Sequence, residues 1–346
     1  MHGLTFEGPG SITYHRHLPD PTIEEPTDVV IRVDRTGLCG SDLHPYEGRE
    51  RARPGVVPGH EAIGTVTDLG ANVAGFSVGD RVVVPFTTSC GACRPCLMGL
   101  SARCENGDLF GWGDPDDLSA PAVHGGQASM LRVPLAEGTL VPIPDRVSDA
   151  QAVLLTDNLP TGWYAAERSD PIVGEAAFVV GLGSVGLSAV AALRALGADP
   201  VFAFDPVEDR LVRAEMLGAS PLTSGAGLGT GVASVVEAAG TSAAQEYAFE
   251  SVRPGGTLSV IAVQTAPDFP FSPVNAYDSN ITVRFGRAPV RSVLNRMLPM
   301  IDSGALQIPD ESIVTHPDEA LEDGPNLYRA FAGREPGMVK ALFATG

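Results

Sequence analysis

The chain has 346 residues, of which 44% are hydrophobic and 19% are charged, and its formal net charge at pH 7 is −19. This composition is typical of a globular protein, and the length predicts about two domains. A surface this acidic repels phosphate backbones and anionic lipids, which argues against nucleic-acid and membrane partners. The N-terminal residues show no basic segment followed by an apolar one, so we predict no secretion signal and expect a cytoplasmic protein.

The first 157 residues predict short strands separated by turns, and three motifs in this part of the chain carry possible metal ligands. Cys39 lies in "GLCGSDLH", His60 lies in "PGHEAIG" and Asp157 lies in "LLTDNLPTGWY". One sulfur, one nitrogen and one oxygen ligand would leave a fourth zinc position open, as in a catalytic zinc site. On the residues alone, core packing of Cys39 and His60 and a helix N-cap at Asp157 remain alternatives.

Four of the five cysteines lie together in the segment "CGACRPCLMGLSARC". Their spacing is Cys90-x2-Cys93-x2-Cys96-x7-Cys104. Four thiolates complete a tetrahedral zinc shell, so this spacing favours a closed, structural zinc site that stabilises a loop. An iron–sulfur cluster or another metal, and a disulfide or redox pair, are the alternatives. Disulfide frameworks occur mostly in small secreted chains, and this chain is large.

The longest apolar run, residues 176–197, predicts a buried strand, a glycine turn and a helix rather than a membrane span. Three closely spaced glycines interrupt its beginning, and Arg194 interrupts its end. The turn "GLGSVG" fits the pattern G-x-G-x-x-G, which lets the backbone approach a pyrophosphate at the start of a helix. The predicted loop residues are Gly181, Gly183, Ser184, Val185 and Gly186.

An acidic residue follows this turn at the distance that dinucleotide sites use. Asp205 stands 19 residues after Gly186, at the end of the next predicted strand "VFAF". A carboxylate there accepts hydrogen bonds from the adenosine ribose and repels a 2′-phosphate, so we predict NAD rather than NADP. Arg210 lies close enough in sequence to keep NADP open as the alternative.

The remaining part of this region predicts further strands of the same sheet. The segments 235–240 and 255–263 read as buried strands, and 218–234 reads as a short glycine-rich connector. The connector lacks the Gly-Lys-Ser/Thr of a P-loop, so we predict no second phosphate site in it.

Taken together, these motifs resemble the zinc-dependent medium-chain alcohol dehydrogenase family over nearly the whole chain. The resemblance lies in "GLCGSDLH", the "GHE" motif and the cysteine spacing that follows them, in that order. The "TDNLPTG" motif resembles the branch that includes glutathione-independent formaldehyde dehydrogenase and formaldehyde dismutase, in which aspartate is the third zinc ligand. The resemblance implies two zinc ions per chain, NAD, and hydride transfer between an alcohol and an aldehyde or ketone.

The family also implies roles for individual residues. Ser41 would bond the substrate oxygen, His44 would pass the proton to solvent, Asp42 would orient the ligand histidine, and Glu61 would approach the metal during ligand exchange. Near the cofactor, Thr161 and Val263 would lie beside the nicotinamide and Lys340 would meet the pyrophosphate. The candidate walls of the substrate pocket are Phe86, Leu109 and Trp112, which suggests an apolar alcohol.

The predicted fold is α/β, with a doubly wound Rossmann sheet and a partly β-barrel, GroES-like catalytic domain. Residues 1–157 and 286–346 would form the catalytic domain, which carries the zinc lobe at about 86–108, and residues 158–285 the NAD-binding domain. The active site would lie between the domains. The family implies a homodimer or homotetramer. The alternatives are an aldehyde dismutase with tightly bound NAD, a biosynthetic dehydrogenase or epimerase on the same scaffold, and a non-catalytic binding protein.

Overall fold

The structure is a computed structural model that describes residues 1–119, 122–222, 228 and 231–346. The chain divides into two compact units. The first consists of Met1–Asp157, Pro289–Ala305 and Val314–Gly346, and the second of Asn158–Ala288 and Leu306–Ile313. Residues 286–288 and 306–313, which the sequence prediction assigned to the catalytic domain, thus belong to the second unit.

The N-terminal part of the first unit is built from short strands and short helices. Its strands are β1 (Gly3–Gly8), β2 (Ser11–His15), β3 (Val29–Leu38), β4 (Ala62–Leu69), β5 (Arg81–Val84), β6 (Met130–Val133) and β7 (Val141–Pro142). Its helices are α1 (Leu43–Tyr46), α2 (Arg94–Leu97), α3 (Ala136–Thr139) and α4 (Asp149–Leu154).

The second unit alternates strands and helices. Its strands are β8 (Ala177–Val180), β9 (Val201–Phe204), β10 (Ser220–Pro221), β11 (Val232–Glu237), β12 (Val252–Val260) and β13 (Thr282–Phe285). Its helices are α5 (Asn158–Arg168), α6 (Ser184–Ala195), α7 (Glu208–Met216), α8 (Ser242–Glu250) and α9 (Pro273–Asp278). The predicted connector 218–234 includes β10 and the start of β11, while residues 223–227 and 229–230 lie outside the described residues.

The C-terminal part of the chain contributes to both units. Helix α10 (Val290–Ser303) belongs to the first unit and α11 (Asp310–Ile313) to the second. Strand β14 (His316–Ala320), helix α12 (Gly324–Ala332) and strand β15 (Ala341–Ala344) complete the first unit.

The first unit is organised around a sheet in the order β14-β15-β3-β4-β5-β7, with β6 also pairing with β3. Its pairs are antiparallel except for the parallel pair of β14 and β15. Val29 and Val33 of β3 and Val82 and Val84 of β5 pack with Phe110 and Leu131 in one core cluster. This sheet fixes the ends of β3 and β4, where the candidate ligands lie.

The second unit contains a six-stranded, wholly parallel sheet in the order β10-β9-β8-β11-β12-β13. Counted along the unit, this is the doubly wound order 3-2-1-4-5-6, in which ligands bind where the order reverses, next to the first strand. All four residues of β8, "AFVV", are buried, as expected for a central parallel strand. The predicted fold class is confirmed.

The segment that raised the question of a membrane span forms β8, a turn and α6. No helix among the described residues is long and apolar enough to cross a bilayer. Gly162 of α5 allows that helix to approach α6 closely, because an added Cβ would lie 2.6 Å from the backbone nitrogen of Ala189.

Candidate functional site

Four side chains of the first unit form a buried cluster of metal-ligand atoms. Cys39 follows the end of β3, His60 and Glu61 precede β4, and Asp157 directly precedes α5. Their sulfur, nitrogen and carboxylate oxygen atoms all lie within 4.8 Å of one another. Asp157 stands where a helix cap would, yet its Oδ2 faces the other ligand candidates, which supports a ligand role.

The spacing within this cluster fits a tetrahedral metal. Oδ2 of Asp157 lies 3.6 Å from Cys39 Sγ and 3.6 Å from His60 Nε2. Ordinary zinc bond lengths at tetrahedral angles place neighbouring ligand atoms about 3.3–3.8 Å apart. The donor set and its dimensions therefore suit zinc.

The electrostatics of the cluster also favour a cation. Burial alone lowers the pKa of His60, but the carboxylates of Asp42 and Asp157 outweigh burial and raise it well above its usual value. Burial, with a further contribution from Glu61, raises the pKa of the Cys39 thiol. The same carboxylates that hold a proton on the imidazole would hold a divalent cation in its place.

Two polar side chains adjoin these ligands. Oδ1 of Asp42 lies 2.9 Å from His60 Nδ1, so the carboxylate holds the ring with Nε2 toward the cluster. Ser41 Oγ lies 3.3 Å from Cys39 Sγ and 3.2 Å from His60 Nε2. The structure thus brings the predicted orienting and proton-accepting groups to the ligand cluster.

Lys340 corrects one prediction. Its ammonium is fully buried and lies 2.7 Å from both carboxylate oxygens of Glu61, and it also donates to the carbonyl oxygen of Leu38 at 3.1 Å. Burial alone lowers the pKa of Lys340, but Glu61 outweighs burial and raises it. All three N–H groups of the ammonium are used in this way, so none is left for a pyrophosphate.

His44 is also buried, on α1. Its Nδ1 lies 3.7 Å from Oε1 of Glu50, whose side chain is 31% exposed. This arrangement leads from the buried ring toward solvent, and the predicted proton-relay role of His44 stays a prediction.

Two of the three predicted pocket walls adjoin the ligand cluster. The ring of Phe86 stands edge-on to His60 at 6.2 Å, and Trp112 is tilted against His60 at 5.6 Å, measured between ring centroids. Leu109 is half-buried in an isolated bridge with Thr87, one residue after Phe86. A place for Leu109 in the pocket stays a prediction.

The four clustered cysteines form a second group of ligand atoms, also within 4.8 Å of one another. All are free thiols, and Cys93 Sγ lies 3.8 Å from Cys104 Sγ, near the separation expected for two thiolates on one zinc. Backbone N–H groups of Cys90 and Cys93 point at the sulfurs of Cys104 and Cys90. These donors stabilise thiolates, so the cluster fits a closed metal site.

Two thiols of this cluster have pKa values shifted in opposite directions, so their thiolates do not form over the same pH range. Backbone hydrogen bonds, that from Ala92 first, lower the pKa of Cys90 to about 6. Burial, followed by the neighbouring Cys93 thiol, raises the pKa of Cys96 to about 12. A divalent cation would remove this conflict, because it compensates several thiolates at once.

The glycine-rich turn of the second unit connects β8 to α6 as predicted. Gly181 has φ +90°, which favours glycine, and an added Cβ on Gly186 would lie 1.8 Å from the Gly181 carbonyl oxygen. Gly183 caps α6 and has open space on its Cβ side. The turn therefore needs two of its glycines for folding and leaves the third free for an approaching ligand, with Ser184 and Val185 in the first turn of α6.

Asp205 lies beside this turn. Its Oδ2 accepts a hydrogen bond from the Leu182 N–H at 2.8 Å, and its Oδ1 accepts one from Val207 N–H at 2.9 Å. Arg210 Nη1 lies 3.4 Å from Asp205 Oδ2. Asp205 thus supports the turn itself, which the sequence did not predict, and still has acceptor capacity for a ribose.

The two predicted nicotinamide neighbours, Thr161 and Val263, also belong to the second unit. Thr161 is buried on α5, whereas Val263 lies beyond the end of β12 and is 43% exposed. Their contact with a nicotinamide stays a prediction.

Comparisons with known proteins agree with this fold and with the ligand sets. Residues 25–145 match the alcohol dehydrogenase GroES-like domain family, and residues 184–303 match the zinc-binding dehydrogenase family. A probable zinc-binding alcohol dehydrogenase of Mycobacterium tuberculosis is 38% identical over 97% of this chain and 87% of that protein. The structure of an alcohol dehydrogenase from Thermus sp. ATN1 superposes with a TM-score of 0.91 and 33% identity, covering 100% of both chains.

The formaldehyde branch matches over a smaller part of the chain. A glutathione-independent formaldehyde dehydrogenase of Pseudomonas aeruginosa is 34% identical over 62% of this chain and 57% of that protein.

These matches define the class of protein as a zinc-dependent oxidoreductase with an NAD(P)-type nucleotide-binding sheet. The chain belongs to the medium-chain zinc-dependent alcohol dehydrogenase family. The family predicted from the motifs is confirmed, and the protein acts on a small molecule.

Proposed function

We propose that the chain is an NAD-linked dehydrogenase that interconverts an alcohol and its aldehyde or ketone at the cluster of Cys39, His60 and Asp157. The observation that carries the proposal is the position of Asp157 Oδ2, 3.6 Å from both of the other ligand atoms. The Asp42 carboxylate supports it, because it holds the His60 ring with Nε2 toward that point.

Zinc bound by these three residues would supply a Lewis acid for the substrate oxygen, and NAD would supply the hydride acceptor. Ser41 Oγ is placed to accept the proton of a substrate hydroxyl, since it lies at the ligand atoms. His44 and Glu50 would carry that proton toward solvent. Phe86 and Trp112 would orient an apolar substrate and exclude water beside His60.

We further propose that Cys90, Cys93, Cys96 and Cys104 hold a second, structural zinc. Protein purified without chelators is then expected to contain two zinc ions per chain, because the two clusters each complete a ligand set. Metal analysis of the wild-type chain and of single-cysteine variants measures this directly.

The variants Cys93→Ser and Cys39→Ser form a matched pair for this count. Each should lose one zinc, and only Cys39→Ser should lose dehydrogenase activity while the lobe keeps its metal. One zinc in the wild-type chain, retained in Cys39→Ser and lost in Cys93→Ser, would contradict the proposed catalytic metal.

For the cofactor we propose NAD, on the basis of Asp205 beside the glycine-rich turn. Replacing Asp205 with serine should lower the preference for NAD over NADP, expressed as the ratio of kcat/KM values, by about tenfold or more. The ratio is the readout because Asp205 also supports Leu182 N–H, so absolute activity will fall with both cofactors. Arg210→Ala is the matched control for the neighbouring charge, and an unchanged ratio in Asp205→Ser would oppose the ribose role.

The oligomeric state and location stay predictions. A homo-oligomer agrees with the edge position of β13, whose last residue, Phe285, is exposed next to the exposed ring of Phe269, with ring centroids 5.5 Å apart. Of the predicted dimer and tetramer, neither is favoured by the described residues. A cytoplasmic location is still expected from the sequence.

A further inference from the structure

The Asp42 carboxylate is held from two sides. Oδ1 lies 2.9 Å from His60 Nδ1 in an ion-pair contact, and neither atom has a hydrogen-bond partner among the described residues. Oδ2 accepts from Cys39 N–H at 3.0 Å and from the side-chain amide of Gln127 at 3.3 Å. The orientation of the carboxylate thus depends on Gln127, a residue outside the motifs of the sequence.

Gln127 is held in turn by a tyrosine from a distant part of the chain. The Tyr328 hydroxyl on α12 donates to Gln127 Oε1 at 2.8 Å, and Gln127 Nε2 also donates to the Gly37 carbonyl at 3.2 Å. Gln127 and Tyr328 are both fully buried. A continuous buried chain therefore runs from Tyr328 through Gln127 and Asp42 to His60, entirely within the first unit.

The donor and acceptor groups of these side chains determine which partner donates in each hydrogen bond. A carboxylate only accepts hydrogen bonds, so the Gln127 NH₂ must face Asp42 and its carbonyl oxygen must face Tyr328. Burial, and after it the charge of Asp42, raises the pKa of Tyr328 well above its usual value, so the phenol stays a donor. The Tyr328 hydroxyl therefore donates to Gln127, and the Gln127 amide donates to Asp42, and neither hydrogen bond can be reversed.

Packing alone does not explain the Tyr328 hydroxyl. The ring belongs to a core cluster with Leu4, Phe6 and Phe343, and a phenylalanine would fill the same space. A buried hydroxyl costs free energy unless it is hydrogen-bonded, and here its partner is Gln127. The contribution of the Tyr328 hydroxyl is therefore its hydrogen bond to the Gln127 side-chain amide.

We propose that Gln127 and Tyr328 are positioning residues of the catalytic metal centre, which fix the Asp42 carboxylate and through it the His60 imidazole. Their hydrogen bonds keep Asp42 Oδ1 on His60 Nδ1, so that the ring presents Nε2 to the metal. The inference rests on the proposed ligand role of Cys39, His60 and Asp157.

The test compares Tyr328→Phe and Gln127→Met, which remove polar groups and keep side-chain size, with Tyr46→Phe as the control. Tyr46 lies next to Tyr328, with ring centroids 5.4 Å apart, but it does not belong to the row of side chains that links Tyr328 to His60. Affinity for Co²⁺ is measured by competition with a chelator, at the site that His60→Ala protein lacks, together with the visible Co²⁺ spectrum. Melting temperatures are recorded in parallel.

We expect Tyr328→Phe and Gln127→Met each to weaken Co²⁺ binding by about tenfold and to alter the spectrum, because loss of an outer hydrogen-bond partner typically costs 10–100-fold. Tyr46→Phe should leave both unchanged. Adding Tyr328→Phe to Gln127→Met should weaken binding no further, since the hydroxyl acts through the amide.

The measurements also distinguish failure of the positioning role from failure of the proposed catalytic site. Wild-type affinity and spectrum in both variants, even with lower melting temperatures, would show a merely structural role and overturn the inference. If His60→Ala protein binds as much Co²⁺ as the wild type, the proposed catalytic site fails, and the inference fails with it.

Discussion

Replacing His60 with alanine is expected to lower kcat/KM by about 10³-fold or more. The loss follows from removing one of three proposed protein ligands, because metal polarisation of a reacting oxygen supplies several kcal/mol and each 1.4 kcal/mol is about tenfold in rate. Far-ultraviolet circular dichroism should remain that of the folded chain, since His60 lies in a loop before β4 rather than within a strand. Steady-state kinetics with a panel of alcohols and NAD measures the effect.

His17, an exposed histidine, provides the matched control. His17→Ala should keep wild-type kinetics and two zinc ions per chain, whereas His60→Ala should keep only the zinc of the cysteine lobe. Wild-type turnover in His60→Ala protein would refute the site assignment.

The second large effect is expected from Lys340→Met, which leaves the Glu61 carboxylate buried without its cation. Breaking a buried ion pair by removing one partner typically costs about 3–5 kcal/mol. We therefore expect the melting temperature of the first unit to fall by roughly 5–15 °C. Differential scanning calorimetry is the appropriate measurement, because the chain has two units and need not unfold in one step.

The double variant Glu61→Gln/Lys340→Met tests the cause. Removing both charges should recover part of the lost stability, because no uncompensated charge then remains buried. Lys340→Arg should not substitute for lysine, since the planar guanidinium cannot direct three N–H groups at the two Glu61 oxygens and the Leu38 carbonyl from the same space. A double variant as unstable as Lys340→Met would attribute the loss to packing instead.

The parts of the site that could be predicted from the sequence are those in which short spacing determines geometry. Four cysteines within fifteen residues are kept close in space by their short spacing. The glycine pattern of the turn at Gly181–Gly186 is typical of a connection from a strand to a helix. Cys39, His60 and Asp157 are far apart in sequence, and it was the family resemblance that brought them together before the fold was known. The doubly wound sheet likewise followed from the alternation of apolar strands and helices.

The contacts that were missed involve residues whose partners are remote in sequence. Lys340 pairs with Glu61 across 279 positions, and Tyr328 donates to Gln127 across 201 positions. A charged or polar residue within an apolar stretch signals that some partner exists, but only the fold identifies it. For Lys340, the pairing of Ala341 in β15 with Leu38 in β3 brings the ammonium to the Leu38 carbonyl and to Glu61. The pyrophosphate role of Lys340, which the family resemblance implied, gives way to the buried contact of its ammonium with the Glu61 carboxylate.

Lys340 is also the only lysine of the chain, since the other basic residues counted with it are arginines. Its ε-amine is fully buried, so reagents that acylate lysines can reach it only when the structure around β15 opens. The rate of acylation of Lys340 therefore measures how often the first unit opens. The same burial makes the folded protein a poor substrate for any enzyme that modifies lysine, because this chain offers such an enzyme no exposed lysine among its described residues.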